Sequence, residues 1–445
     1  MAINSFSGKK TLSRMSSFYV KIICFIFLYA LFALDRIKKI LSFRIGDYKI
    51  TNEIWIIPFL CLLMFINTQL KFRKSVNSYN LFLVKGIFLY LLIIIIGGFN
   101  LISIPQYIYA ALLFIIPMFL FFPISKINTY EFEWFIKLVI IVCFVYAIFS
   151  IVLTTNYAFF MKLIGNPIDY RYSHQFRAPL MLGSSITVSY YYNLTLPICF
   201  YMFYSSKNKK WRIISILTII FNLTATFLLL SRAASLTAII IVVFYLMFAK
   251  SNKNNFSKKI ILLILILLAI LFILSNYNVS RLLKGFGSSG NDMSISARIT
   301  AGKLGLYIFS QYPLFGSGMG RFYERAYIDK YIIVDGFSGL IDPHNMYIII
   351  LSELGIAGLA VTIYIFSKLF IRFSKISDLI LRKTAYITLF CLLFDAIGGS
   401  HLVNEISFST IFWIYMGLFN SVSINDLDTN EKILGKDKNK ESILI

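Results

Sequence analysis

Two arginines occupy places where a bound anion would account for a cation near a membrane. Arg232 lies in the run 231–235, where small residues allow a tight turn between two apolar stretches. Arg298 follows Ser294 and Ser296, either of which can cap a helix that ends before Pro313. A cation in a first helical turn opposes the macrodipole unless it shares an anion with the helix N-terminus. The pattern predicts an anion site, with a snorkelling interface anchor as the alternative for Arg232.

A histidine stands where the chain returns to a long apolar stretch. His344 lies between Pro343 and Asn345, and an imidazole can gain and lose a proton near neutral pH. We predict a proton-transfer role for His344, with a helix cap or a hydrogen-bonded structural residue as the alternative. The alternate glycines of 316–320 predict a tight turn that skims the membrane, because no strand precedes them as a dinucleotide site requires.

The elements that position these residues are membrane helices. The chain of 445 residues is 58% hydrophobic and only 14% charged, which excludes an ordinary soluble globule. Its apolar runs have the length of about 20 residues that a helix needs to cross a bilayer. We therefore predict an all-α polytopic membrane protein with about twelve spans, the first retained because no small-residue cleavage site follows it. The predicted spans are 18–34, 54–70, 81–100, 106–122, 135–153, 182–204, 213–230, 234–249, 260–276, 343–370, 385–400 and 405–422.

The basic residues predict the orientation of these spans. With a cytoplasmic N-terminus, the inside segments hold 23 Lys and Arg residues, whereas the short outside segments hold nine. The positive-inside rule then favours cytoplasmic termini and a functional outer face, and the net charge of +23 does not indicate nucleic acid binding. Segment 35–53 argues against this orientation unless it extends the first helix or lies at the interface. The predicted organisation is a cytoplasmic tail 1–17, nine spans within 18–276, a large helical periplasmic loop 277–342, three spans within 343–422 and a disordered cytoplasmic tail 423–445.

A few ionisable residues fall inside the predicted spans. They include Lys85, Lys137, Glu353 and Asp395, and ionisable residues within a membrane are functional candidates. Asp395 stands out because it comes just before Gly398-Gly399-Ser400-His401. It has two interpretations, a structural pair and a substrate-binding residue. The five cysteines all fall inside apolar runs, so no disulfide framework is expected.

The order of these motifs resembles that of a known group of bacterial envelope proteins. Ser231-Arg232, the stretch from Arg298 through Tyr312-Pro-Leu-Phe-Gly-Ser-Gly-Met-Gly320, and His344-Asn345 followed by Gly355-Ile-Ala-Gly358 resemble the O-antigen ligase and polymerase superfamily. The motifs lie within residues 228–360, and the large outer loop before the third-last span is also similar. One departure is Leu359, where the superfamily's closing motif often continues with Thr.

The resemblance implies glycosyl transfer on the periplasmic face of the inner membrane. The donor would be a glycan linked to undecaprenyl pyrophosphate, with Arg232 and Arg298 holding the pyrophosphate and His344 acting as general base. The reaction would invert the anomeric centre and need no metal or other cofactor. In an O-antigen or capsule polymerase the acceptor is another lipid-linked repeat unit, whereas in an O-antigen ligase it is a sugar of the lipid A core.

Further candidates surround this predicted site. Possible substrate contacts are Arg171, Arg177, Arg321, Arg325, Asn345 and Asp395. The acids of 277–342 form no Asp-x-Asp pair, so no Mg²⁺ ligand set is visible there. Expected partners are lipid-linked repeat units, the membrane and a chain-length regulator protein. The competing hypothesis is a lipid-linked oligosaccharide flippase, which would need charges along a midplane cavity.

Overall fold

The computed structural model describes residues 13–32, 43–45, 48–50, 56, 59–60, 80–98, 104–156, 185–229, 231–248, 293–322 and 343–441. These residues form helices and one small hairpin. The helices are α1 Ser13–Phe32, α2 Leu81–Gly97, α3 Ile104–Ile115, α4 Phe121–Ile124, α5 Thr129–Thr155, α6 Ser185–Ser205, α7 Lys209–Leu228, α8 Arg232–Phe248, α9 Met293–Gln311, α10 Met346–Phe373, α11 Leu379–Asp395, α12 His401–Asn404 and α13 Ile406–Glu441, with a 3₁₀ turn Ile116–Leu120 between α3 and α4.

The described residues confirm the all-α expectation apart from one small hairpin. Strands β1 (Phe43–Ile45) and β2 (Tyr48–Ile50) pair in antiparallel fashion, with Arg44 opposite Lys49. The middle of segment 35–53 therefore does not extend the first helix. All other secondary-structure elements that the structure describes are helices.

Several of these helices can cross a membrane. Five helical segments within the described ranges are long and apolar enough: Tyr107–Ile124, Thr129–Thr155, Lys209–Leu228, Met346–Phe373 and Ile406–Ile424. Three shorter apolar helices accompany them: Lys21–Leu31, Leu81–Gly97 and Arg232–Met247. Helices also occupy the predicted spans 182–204 and 385–400. The predicted span 260–276 lies outside the described residues, as does nearly all of 54–70, so the number twelve stays a prediction.

The bundle is built around α6 and the first half of α13. Almost every residue of α6 is buried, as is 94% of Ile406–Ile424. The surrounding helices turn apolar side chains outward, including Phe88 and Ile95 of α2 and Ile363 of α10. Exposed apolar faces of this extent are those that membrane helices present to lipid. Lys85 is exposed on α2, and Lys137 pairs with Glu133 at 2.6 Å, so neither of these lysines lies in the bundle interior.

The C-terminal helix continues well beyond the last predicted span. α13 reaches Glu441 and so covers most of the segment 423–445, for which the sequence predicts a disordered cytoplasmic tail. Asp426 accepts hydrogen bonds from the backbone N–H and hydroxyl of Ser377 at 2.8 and 2.9 Å. This contact fixes the helix to the α10–α11 connection, and the Lys, Glu and Leu residues that follow have high helix propensity. Neither the Ser377 contact nor the helix propensity is visible from the polar composition of this segment, on which the expectation is based.

Candidate functional site

The turn between α11 and α12, residues 396–400, is where the elements of the candidate site meet. The backbone N–H of Met346 donates to the carbonyl oxygen of Ala396 at 2.9 Å. The Asn345 side-chain amide donates to the carbonyl oxygen of Ile397 at 3.2 Å, and the Tyr347 hydroxyl donates to that of Leu393 at 2.7 Å. These bonds fix the start of α10, and with it His344, against the α11–α12 turn.

His344 precedes α10 in a strained backbone conformation. Its φ of 43° lies in the left-handed region, which costs a non-glycine residue about 1–2 kcal/mol. Strain of this kind concentrates at functional sites. The cap of α10 is Asn345, whose side chain accepts from the N–H of Ile348 at 3.1 Å. The helix-cap interpretation therefore applies to Asn345 and not to His344.

Arg232 is the first residue of α8, after a connection of only three residues from α7. The tight turn predicted for this run is confirmed. The next residue, Ala233, packs on the α11–α12 turn, since a methyl group at Gly398 would lie 3.1 Å from Ala233 Cβ and 2.9 Å from the Tyr190 hydroxyl oxygen. The absence of a side chain at Gly398 thus lets the first turn of α8 pack closely against the α11–α12 turn. This packing places Arg232, which is partly buried, at the same end of the bundle.

Arg298 lies in α9, which runs beside α10 in the same direction. Gly302 and Gly305 of α9 face Ile348, near the start of α10. Further towards the C-terminal end of each segment, the carbonyl oxygen of Pro313 accepts a hydrogen bond from Ile356 N–H at 2.9 Å. Later residues of α9 thus contact later residues of α10, so the two helices are parallel. Their N-terminal ends, which carry Arg298 and His344, lie at the same end of the helix pair.

The position of Arg298 within α9 differs from the expectation. α9 begins at Met293, upstream of the two candidate cap serines, so Arg298 is in its second turn rather than its first. The predicted end of the helix at Gln311 is confirmed. The Arg298 side chain is partly buried.

Asp395 is buried and bonded to two other helices. Thr237 of α8 donates to its Oδ1 at 2.5 Å, and Asn193 of α6 donates to its Oδ2 at 3.0 Å. These bonds support the structural interpretation, because they join α6, α8 and α11 just below the turn. They also leave Asp395 on the wall of a narrow cavity with Tyr190 and His401.

The glycine loop, residues 312–322, packs against a break in α10. Gly355 has a φ of 65° and interrupts the helix inside the predicted span 343–370. The N–H groups of Ser317 and Gly318 donate to the carbonyl oxygens of Ser352 and Glu353 at 2.8 and 3.0 Å. Those carbonyls would otherwise accept from residues 356 and 357.

The N–H groups of α10 that the break leaves without helical acceptors donate to the glycine loop. Ile356 N–H donates to Pro313 oxygen, and Ala357 N–H donates to Leu314 oxygen at 3.1 Å. The two carbonyl oxygens and two N–H groups of α10 that face the glycine loop are thus all hydrogen-bonded, as buried backbone groups require. The turn predicted from the glycines is confirmed, with positive φ at Gly316, Gly318 and Gly320.

Two charged residues belong to the glycine loop region rather than to the α11–α12 turn. Glu353 is buried and accepts from the N–H of Phe322 at 3.1 Å. Arg321 is also buried, and its Nη1 donates to Ser317 oxygen at 3.2 Å. Of the other predicted substrate contacts, Arg171, Arg177 and Arg325 lie outside the described residues.

Sequence reasoning did not single out several polar residues of the site. Tyr190, Thr187 and Asn193 all lie on α6, in a stretch that is apolar enough to be taken as a plain span. Within the described ranges no three His, Cys, Asp or Glu residues form a group that could hold a metal ion. The metal-free mechanism stays a prediction.

Comparison with known families agrees with the motif pattern. Residues 217–363 match a family model described as O-antigen ligase. The matched stretch contains Arg232, Arg298, the glycine loop and His344, and it ends before Asp395. The match confirms the resemblance to the O-antigen ligase and polymerase superfamily, whose members are membrane-bound, glycosyltransferase-like enzymes that act on lipid-linked glycans. Comparison with curated proteins gives no match.

Proposed function

We propose that this protein is a glycosyltransferase that polymerises polyprenyl-pyrophosphate-linked oligosaccharide repeat units on the periplasmic face of the membrane. The observation that carries the proposal is that Arg232, Arg298 and His344 lie at one end of the bundle. Neighbours of Arg232 and His344 contact the α11–α12 turn, and α9, which carries Arg298, packs along α10. The superfamily match over residues 217–363 supports the same reaction class.

The arginines would stabilise the leaving group. When the bond between the anomeric carbon and the phosphate oxygen breaks, its electron pair stays on the lipid pyrophosphate, which gains negative charge. Guanidinium groups bind phosphate oxygens in bidentate fashion and stay charged. Arg232 and Arg298 can therefore take the role that a divalent metal has in other transferases, and the reaction is metal-independent in this proposal.

His344 would accept the proton of the acceptor. The acceptor hydroxyl oxygen forms the new bond to the anomeric carbon on the face opposite the leaving pyrophosphate, which inverts that centre. Its proton passes to the imidazole of His344, a general-base role worth about 10² to 10⁴-fold in rate. The strained backbone at His344 and the fixed start of α10 support this role, since both fix the stretch of backbone that carries the imidazole.

The polymerase is the first candidate and the ligase the second. The resemblance of 343–359 to polymerases and the Lys-, Ile- and Asn-rich composition favour the polymerase, whereas the description of the matched family favours a ligase. Deletion of the gene separates them. Loss of a polymerase leaves a lipid A core with at most one repeat unit, and loss of a ligase leaves a bare core while long chains accumulate on the polyprenyl carrier.

The reaction itself is tested with purified protein and lipid-linked repeat units in detergent. We expect chains of increasing length on a gel, without added metal and in the presence of a chelator. Vesicles that move the repeat unit across the membrane but never extend it would instead identify a flippase and end the proposal.

The orientation has a separate test. In a cysteine-free background, a membrane-impermeant thiol reagent should label Cys placed at Ser288 or Asp335 in intact spheroplasts, and it should not label Cys placed at Asn208 or Asn254. The reverse labelling would move the site to the cytoplasm.

A further inference from the structure

Asn193, near the middle of α6, bonds the first turn of α8 and the end of α11 with one side-chain amide. Its Nδ2 donates to the carbonyl oxygen of Ala234 and to Asp395 Oδ2, at 3.0 Å in each case. A backbone carbonyl can only accept, so the nitrogen of the amide must face this side. Asn193 is fully buried, and it therefore ties α8 and α11 to the interior of the bundle.

Thr237 bonds the same carboxylate from α8. Its hydroxyl donates to Asp395 Oδ1 at 2.5 Å, and the residue is fully buried. One oxygen of Asp395 is thus bonded to α8 directly, and the other is bonded to α8 through Asn193. We call Asn193, Thr237 and Asp395 the carboxylate clamp. Thr237 comes five residues after Arg232, about 7.5 Å along the helix axis, so the clamp holds the first two turns of α8.

The end of α11 that carries Asp395 also holds the start of α10. Three successive residues, 345–347, donate to carbonyl oxygens within 393–397. Asp395 lies inside that stretch, and its side chain bonds α6 and α8 instead. The segment 393–397 therefore contacts the neighbours of His344 through its backbone and those of Arg232 through one side chain.

The proposed reaction depends on the distance between those two residues. In an inverting transfer the base and the leaving pyrophosphate lie on opposite sides of the anomeric carbon, so Arg232 and His344 must stand a fixed distance apart. A displacement of about 1 Å can cost about 100-fold in rate. Packing of Ala233 on Gly398 allows α8 to slide or rotate, whereas hydrogen bonds are directional and fix both movements.

We propose that Asn193 and Thr237 are positioning residues that act through Asp395 to set the distance between Arg232 and His344. The inference rests on the proposed glycosyl transfer and adds to it the contacts that hold the two parts of the site in place. Both oxygens of Asp395 are used within the protein. Asp395 therefore has this role rather than that of a substrate contact.

Thr237→Val tests the clamp, because valine has the shape of threonine and lacks the hydroxyl. With purified protein in detergent and lipid-linked repeat units as substrate, we expect kcat to fall about 10- to 100-fold. Thr237→Ser keeps the hydroxyl and should retain most of the wild-type rate. If Thr237→Val yields no folded protein, Thr237→Ala replaces it, since the smaller side chain leaves room for a water to bond Asp395.

The matched control is a second hydrogen bond between the same two helices. The Tyr245 hydroxyl of α8 lies 2.7 Å from the Thr384 hydroxyl of α11, eight residues further along α8 than Thr237. Tyr245→Phe removes this bond and should lower the melting temperature, as Thr237→Val does, while kcat stays at the wild-type value. The control separates the loss of a bond between α8 and α11 from the displacement of Arg232.

A double-mutant cycle identifies the residue through which the clamp acts. In an Arg232→Lys background, Thr237→Val should cost less than about 3-fold more in kcat, because the two changes affect one interaction. In an Arg298→Lys background it should keep its full effect.

Three outcomes overturn the positioning role in an active wild-type protein. They are independent losses in Arg232→Lys and Thr237→Val that multiply in the double variant, a wild-type kcat in folded Thr237→Val or Thr237→Ala, and an equal loss of kcat in Tyr245→Phe. A wild-type protein that transfers nothing to any acceptor instead overturns the proposed function.

Discussion

The glycine loop contains motif residues of the superfamily, and the α11–α12 turn packs against the neighbours of others. The two regions are built from different parts of the chain. Side chains of α6, α8 and α11 meet at the turn, where Asp395 and His401 find their partners. At the glycine loop the contacts are mostly backbone, exchanged between 313–318 and 352–357. Motif residues are therefore of two kinds: those whose side chains could contact substrate, and glycines that allow a backbone conformation or a close backbone contact.

The largest expected effect concerns the backbone region. A methyl group at Gly355 would overlap the carbonyl group of Leu314, at a φ that side chains rarely adopt. We expect Gly355→Ala to lose more than about 4 kcal/mol of stability, seen as loss of monodisperse protein in detergent. Gly302→Ala is the control, because its methyl group would make an ordinary 3.5 Å contact with Ile348. Equal recovery of the two variants would show that the break in α10 is dispensable.

The next effect concerns chemistry without loss of folding. Asn tolerates the left-handed conformation of His344 better than Ala does, so His344→Asn removes the imidazole and keeps the backbone. Transfer should fall by about 10² to 10⁴-fold while the melting temperature stays at the wild-type value. His344→Ala should lose the same activity and also some stability. Wild-type turnover by His344→Asn would exclude the general base.

A pair of arginine substitutions contrasts the two regions directly. Arg298→Lys should reduce transfer about 10- to 100-fold at unchanged stability, because an ammonium cannot form the bidentate contact. Arg321→Lys should instead lower stability by roughly 1–3 kcal/mol, since its buried guanidinium donates to Ser317 within the loop. Equal changes in melting temperature and in activity for the two variants would show that the two arginines do not have different roles.

The smallest effect separates two roles of Asn345. Asn345→Asp keeps an acceptor for Ile348 N–H but loses the donor to Ile397 oxygen, whereas Asn345→Ala loses both. Stability should fall by about 1 kcal/mol for Ala and by less than about 0.5 kcal/mol for Asp. Both variants should lose a few-fold in activity. A far larger loss for Asp would show that position 345 meets the pyrophosphate itself, where a new negative charge repels it.

Features with a local cause could be predicted from the sequence. Pro313 cannot continue a helix, and α9 ends at Gln311. The small residues of 231–235 permit the short connection into α8. The choice of Arg232, Arg298 and His344 also came from local motifs, although the proximity of their neighbours to one turn is a tertiary fact.

Features with a distant cause could not be predicted. The partners of Asp395 are 158 and 202 residues away in sequence, and no local pattern on α6 or α8 indicates them. A glycine in an apolar run is compatible with a regular helix, so the positive φ of Gly355 becomes evident only when the loop that replaces its hydrogen bonds is known. The hairpin at 43–50 and the helix beyond Ser423 likewise depend on contacts or pairing that polarity does not report.

The hydrogen-bond exchange at Gly355 also constrains the order of biogenesis. Residues 313–318 leave the ribosome before 352–357, yet each segment satisfies the other's backbone groups. The glycine loop therefore gains these partners only after α10 has been synthesised, and the broken form of α10 is satisfied in lipid only when the loop is in place. The break in α10 thus belongs to the assembled bundle, because a lone α10 could bond 352 to 356 and 353 to 357 as a regular helix does.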